Sequence, residues 1–273
     1  MQIDIDGLST RVELDGPADA PVVMLSHSLA LDLDMWRPQM AALAARYRVL
    51  RYDTRGHGGS APPAAPFGLA DLAADVRAIL ARLGIARVHF VGLSMGGMIG
   101  QQLAVDHPDL LDSLVLANTL SAYGPQAAPM WQGRIDAAGG PQGMAPIVEP
   151  TVARWFTEPF RAAGNAATLD WVRGMIRRTS VAGYVECCRA LMRLDLTARL
   201  PAVRTPTLVL AGRQDPSTPV AGAEVIAAAV PSARLAVIEN AAHISNIEQA
   251  GVFTGLLTDF LSEQSGRPPA PGR

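Results

Sequence analysis

Residues 89–103, HFVGLSMGGMIGQQL, pass from an apolar run suited to a buried strand into a helix-like run across one serine set among glycines. Glycine removes the Cβ that would collide in a tight turn. Gly92-Leu93-Ser94-Met95-Gly96 therefore reads as a sharp strand-to-helix turn that presents the Ser94 hydroxyl at the edge of a sheet. The remaining chain supplies such a sheet. VELDG and APVVMLSHSL read as strands, DMWRPQMAALAARY as a helix, and RVLRYDTRGHGGS as a strand entering a glycine-rich loop. GLADLAADVRAILARLGI is an amphipathic helix ending at Gly84, ARVHFVGLS a buried strand, MGGMIGQQLAVDHP a helix stopped by Pro108, and LLDSLVLANTL another strand. This alternation predicts an α/β fold with a mostly parallel central sheet flanked by helices.

From about residue 121 to 200 the pattern changes to helix-like segments with prolines and no convincing strand, as expected of an inserted helical cap. Alternation resumes with TPTLVLAG, VAGAEVIAAAV, ARLAVIEN and a final helix around AGVFTGLLTDFLSEQ. The expected organisation is a core of residues 1–120 and 201–263, a cap of residues 121–200, and a loose C-terminal tail of residues 264–273, whose ending is too poor in apolar residues to pack.

Composition narrows the function. A chain of 273 residues, 49% hydrophobic and 18% charged, can bury a substantial core. Its net charge of -2 without like-charge runs leaves no footprint for nucleic acid. No apolar run approaches the ~18 residues of a membrane span, and the first residues lack a basic, then apolar, leader. A cytoplasmic protein acting on a small molecule is expected, and nothing in the sequence sets an oligomeric state. All 23 basic residues are arginine, which removes Schiff-base, pyridoxal-phosphate and phosphate-loop chemistry, each of which needs a lysine amine. Cys187 and Cys188 are adjacent in a helix-like segment and read as packing residues.

A serine hydroxyl needs a histidine base and an acid that orients it, in the chain order serine, acid, histidine for this kind of turn. Only His107 and His243 follow Ser94, and His107 precedes Pro108 at a helix end, so His243 is the candidate base. Asp215, in the loop after TLVLAG, is the candidate acid. Glu224 and Glu239 sit inside helix and strand patterns, and the other plausible strand end carries Asn118, which is no carboxylate. Met95, opening the helix, and Leu29, in the loop after VVMLS, are the expected backbone N–H donors to an oxyanion. His27 and Ser28 are expected to shape that loop, with Ser28 also a candidate substrate contact. Asp53, Arg55 and His57 in DTRGHGGS are expected to stabilise a neighbouring turn.

These motifs resemble the α/β-hydrolase family, and within it the enol-lactonases that open 3-oxoadipate enol-lactone. The similarity spans about residues 10–262 and includes SLALDLDMW, YDTRGHGGS, GLSMGGMIGQ, RIDAAG, RWFTEPF, GYVECCRALMRLDL, AGRQDPSTP and AAHISNIEQ. The core motifs are common to esterases, whereas RWFTEPF and GYVECC, from the cap, carry the narrower resemblance. One loop departs from it. Enol-lactonases usually carry a sequence like S-N-S-L-G-T where this chain has Ser26-His27-Ser28-Leu29-Ala30-Leu31, with Ala30 in the place of glycine. The resemblance implies a cofactor-free and metal-free serine hydrolase acting on a lactone or ester, here an unsaturated lactone bearing one carboxylate. Such a substrate needs a cation in an apolar pocket, and the cap holds nine arginines against six acidic residues. Arg134 is the chosen partner and Trp131 and Trp155 the expected apolar walls, against the plainer reading of a solvated arginine and core tryptophans. A broad carboxylesterase, a perhydrolase or a carbon–carbon bond hydrolase would keep the same triad, a dehalogenase would want aspartate at position 94, and a non-catalytic ligand receptor would need no triad.

Overall fold

The computed structural model describes residues 1–266. The strands are β1 (Gln2–Ile5), β2 (Leu8–Asp15), β3 (Val22–Ser26), β4 (Arg48–Tyr52), β5 (Val88–Leu93), β6 (Leu111–Ala117), β7 (Thr207–Gly212) and β8 (Ala233–Ile238). They form one sheet in the order β1-β2-β4-β3-β5-β6-β7-β8. The β1–β2 and β2–β4 pairs are antiparallel, and every pair from β4 onward is parallel. Full burial of β5 and β7 explains why they read as largely apolar runs without alternation. The β1–β2 hairpin was not among the expected elements. Its signal is the dipeptide Asp6-Gly7, whose φ values of 52° and 84° suit the turn that joins two strands of matching twist.

The helices are α1 (Arg37–Ala44), α2 (Leu69–Arg82), α3 (Met95–Asp106), α4 (Ala128–Gly139), α5 (Ala145–Trp155), α6 (Glu158–Ala162), α7 (Ala166–Arg178), α8 (Val181–Met192), α9 (Val220–Ala229), α10 (Ser245–Glu248) and α11 (Ala250–Ser265). Helix α3 packs on β5 and β6, α9 on β7 and β8, and α1 against α11. Helices α4–α8 all lie between β6 and β7 in the chain. Where this excursion leaves and rejoins the sheet, its two ends are tied together. Leu196 N–H donates to Ser121 O at 2.8 Å and Tyr123 N–H to Leu194 O at 3.1 Å, with a bridge between Ala122 and Asp195.

Helix α11 runs to Ser265 and buries Gln264, so the chain stays packed past the boundary at 264 expected for a loose tail. The reason is the periodicity: Phe253, Leu257, Phe260, Leu261 and Gln264 share one helix face. Residues 267–273 of that tail lie outside the described residues. Cys187 and Cys188 are free and buried, in keeping with packing. No helix among the described residues is long and apolar enough to cross a membrane.

Candidate active site

Ser94 joins β5 to α3 with φ 56° and ψ -113°, a strained position for a side-chain-bearing residue. Its neighbours allow it. A Cβ at position 92 would lie 2.1 Å from Gly96 O, and one at position 96 would lie 2.2 Å from Ser26 O, so the turn and its contact with β3 close only around glycine. Ser94 N–H donates to Ala117 O at 2.8 Å and Thr119 Oγ1 donates to Ser94 O at 2.8 Å, which pins the turn from the β6 side.

Asp215 and His243 follow the carboxyl ends of β7 and β8, the same edge of the sheet on which Ser94 stands. The His243 Nδ1–H donates to Asp215 Oδ2 at 2.8 Å, with both side chains buried. That bond fixes the imidazole tautomer and leaves Nε2 as the basic nitrogen. Four further donors hold the carboxylate: Asn118 Nδ2 at 3.0 Å, the N–H groups of Ser217 at 2.8 Å and Thr218 at 3.1 Å, and the Thr218 hydroxyl. Burial pushes the Asp215 carboxyl up, but the charge and hydrogen bond of His243 and the Thr218 and Asn118 bonds outweigh it, and its pKa falls below the usual value. Thr218 and Asn118 escaped the sequence reading. Asn118 is set aside in the sequence because it is no carboxylate, yet it stands at the end of β6 with φ 44°, donates to Asp215 and Ala242 O, and accepts from Ser245 Oγ at 2.6 Å.

Ser94, His243, Leu29, Ser28, Trp131, Trp155 and Arg134 line one cavity of about 270 Å³. Met95 is fully buried at the start of α3, where its N–H has no acceptor within the helix. The Leu29 loop is held from behind. His27 Nδ1 donates to Ser28 O at 2.8 Å and His27 Nε2 accepts from Thr54 N–H at 2.8 Å, while burial lowers the His27 pKa and keeps the ring neutral. The Ser28 hydroxyl is buried without a hydrogen-bond partner. Trp155 lies 5.9 Å from the His243 ring, and the Arg134 guanidinium stacks over Trp131 at 4.7 Å. Sequence reasoning missed Arg154, a second arginine of the same cavity; its only signal was its place in RWFTEPF.

The remaining candidates fall elsewhere. Asp53 accepts from Leu33 N–H and Gly59 N–H, each at 2.7 Å, and Arg55 pairs with Asp75 of α2, so DTRGHGGS braces its own turn and the loop after β3. His107 ends α3, and Glu239 pairs with Arg213 at the surface. Among the described residues no three His, Cys, Asp or Glu side chains converge as metal ligands would.

Residues 21–250 match the family model described as the alpha/beta hydrolase fold. The chain belongs to the α/β-hydrolase family. This hydrolase is 38% identical to 3-oxoadipate enol-lactonase 2 of Acinetobacter baylyi over 87% of each chain. It superposes on the enol-lactonase of Burkholderia xenovorans with a TM-score of 0.91 at 37% identity, covering 96% of this chain and 100% of that one. It is also 31% identical to RutD of Stutzerimonas stutzeri, which carries the name of a carbamate hydrolase, over 92% of this chain and 96% of that protein.

Proposed function

We propose that this hydrolase opens a carboxylate-bearing enol-lactone, of the 3-oxoadipate enol-lactone type, through an acyl-enzyme on Ser94. The observation that carries the reading is the half-buried Arg134, stacked on Trp131 with no acidic partner among the described residues, in the cavity that Ser94 and His243 share. The cavity lies just below the roughly 300–1,000 Å³ of sites for drug-sized ligands, which suits a compact ring. The similarity to enol-lactonases supports the same substrate class.

In this reading Ser94 Oγ adds to the ring carbonyl as His243 Nε2 takes its proton, and the Leu29 and Met95 N–H groups hold the oxyanion. The carbonyl–ring oxygen bond breaks, and His243 returns the proton to the departing enol oxygen. The enol tautomerises to a ketone, which draws the opening forward. Water, deprotonated by His243, adds to the acyl carbon; the bond to Ser94 Oγ breaks, Oγ regains a proton, and the product leaves as a carboxylate. The protein acts in the cytoplasm, on a small molecule, without cofactor.

The test is kcat/KM for a carboxylate-bearing enol-lactone against a neutral lactone of the same ring. A charge-assisted hydrogen bond from a half-buried arginine is worth about 1.5–3 kcal/mol, so preference for the charged lactone is expected at about 10- to 150-fold. Equal values would replace this reading with a general esterase. Replacing Ser94 by Ala is expected to remove about 10⁴- to 10⁶-fold in kcat while the far-UV circular dichroism stays unchanged. The similarity to RutD favours one alternative, a carbamate hydrolase, which ammonia release from a small carbamate would reveal.

A further inference from the structure

Arg154 stands in the last turn of α5, one residue before Trp155, and lines the same cavity as Ser94, His243 and Arg134. It is half-buried. Its Nε is shut off from water without a hydrogen-bond partner, and its one side-chain bond is a long one, Nη2 to Thr151 Oγ1 at 3.3 Å. Elsewhere in the cap, Arg173, Arg178 and Arg189 each have a carboxylate partner, although Arg178 and Arg189 are more exposed. Among the described residues neither Arg154 nor Arg134 has an acid within 4.0 Å. Burial lowers the Arg154 pKa and the neighbouring Arg134 charge lowers it further, so two cations share one partly dry space and repel each other. A protein that spends stability in this way has a site prepared for anions.

We propose that Arg154 is a second anion-binding residue and that, with Arg134, it makes the cavity a site for dicarboxylates. A ligand with one carboxylate neutralises one arginine and leaves the other uncompensated; a ligand with two satisfies both. The origin of the second carboxylate rests on the lactone reading, because opening a lactone that already bears one carboxylate creates another at the carbon released from Ser94. Arg134 stacks on the Trp131 ring, and both arginines line the cavity that Ser94 and His243 share. Arg154 and Pro216 also line a neighbouring open groove of about 690 Å³, so Arg154 stands where cavity and groove meet.

Calorimetric titration of the intact protein with adipate and with hexanoate tests the proposal, since the two differ by one carboxylate on the same six-carbon chain. The wild type is expected to bind adipate about tenfold or more tightly than hexanoate, the worth of one charge-assisted hydrogen bond. Arg154→Met is expected to bring the two affinities within about twofold, and Arg154→Lys to keep part of the difference; thermal unfolding identifies which variant is folded. Equal affinities in the wild type, or an undiminished preference for adipate in a folded Arg154→Met protein, would overturn the proposal. Lactone turnover is scored separately. Preference for adipate without opening of any lactone leaves the two-cation site standing and removes the lactone reading; preferential turnover of the charged lactone with equal binding of the two acids does the reverse.

Discussion

Ala30 has φ 63°, in the left-handed region where a Cβ crowds the following carbonyl, one residue beyond the proposed oxyanion donor Leu29. Glycine there would relieve about 1–2 kcal/mol of strain and return about 0.4–1 kcal/mol through a freer unfolded chain. The Ala30 methyl is buried in the core, and its loss costs about 0.8 kcal/mol. Ala30→Gly is therefore expected to leave stability to urea within about 0.8 kcal/mol of the wild type, and a larger loss would show that the packing of the methyl outweighs the strain. Asp215 supports a sharper expectation. An asparagine there keeps the shape but offers His243 the wrong hydrogen-bonding partner, so Asp215→Asn is expected to cost roughly 10⁴-fold in kcat. Glu239→Gln, at the surface pair with Arg213, is expected to leave kcat within about twofold, as surface ion pairs contribute little. Initial rates on a small p-nitrophenyl ester measure both, and the opposite ranking would remove Asp215 from its assigned place.

Between elements, the contacts that matter most for the site join the segment after α5 to the loop carrying His243. Glu248 of α10 accepts from Thr157 N–H at 2.8 Å and from the Thr157 hydroxyl, and its other oxygen accepts from Ala242 N–H at 2.7 Å. Glu248→Gln turns one acceptor into a donor facing donors. The expected result is about 1–3 kcal/mol less stability in urea, with kcat falling more than KM changes, because the His243 loop loses its anchor. An unchanged kcat would show that the other bonds to this loop, among them Ile244 N–H to Trp155 O at 3.2 Å and Asn118 Nδ2 to Ala242 O at 3.1 Å, hold it without Glu248. Contacts of this kind explain what could be read from the sequence. Strands β2 to β8 and helices α2, α3 and α9 announce themselves through apolar runs, amphipathic spacing in α2 and the glycines and prolines that end them, and Ser94, Asp215 and His243 through chain order, because these signals lie along the chain. Arg154, Thr218, Asn118 and Glu248 work only through partners far along the chain, and the four-residue strand β1 exists by virtue of pairing with β2. One mutual approach belongs to both worlds: Gly183 of α8 and Gly56 after β4 meet so closely that a Cβ on Gly183 would lie 2.6 Å from Gly56 Cα, yet neither glycine signals the other in sequence.

At the scale of the whole molecule, the buried histidines couple stability to pH. His27 and His57 lie with ring centroids 5.2 Å apart, both fully buried. Burial above all, with the His27 ring packed beside it, pushes the His57 pKa down to about 3. The unfolded chain therefore takes up a proton near pH 6.5 that the folded one refuses, so this contribution is complete above about pH 6.5 and shrinks as pH falls toward 3. The slope is on the order of 1.4 kcal/mol per pH unit for each such histidine. Replacing His57 by Gln, which retains a donor for Arg55 O and does not titrate, is expected to flatten urea-unfolding stability between pH 6.5 and 5 by about that slope. Parallel curves for wild type and variant would show that His57 is protonated in the fold. The tied ends of the chain between β6 and β7 act on a different quantity, the entropy of the loop they close. Because the bonds at Ser121–Leu196 and Tyr123–Leu194 fix that closure at its base, added length above them would cost only logarithmically, about 0.6 kcal/mol for each doubling of a flexible loop. Insertions at the exposed turns of the segment that carries Arg134 and Arg154 would thus cost little, provided that Trp155 and Thr157 keep their bonds to Ile244 and Glu248 beside His243.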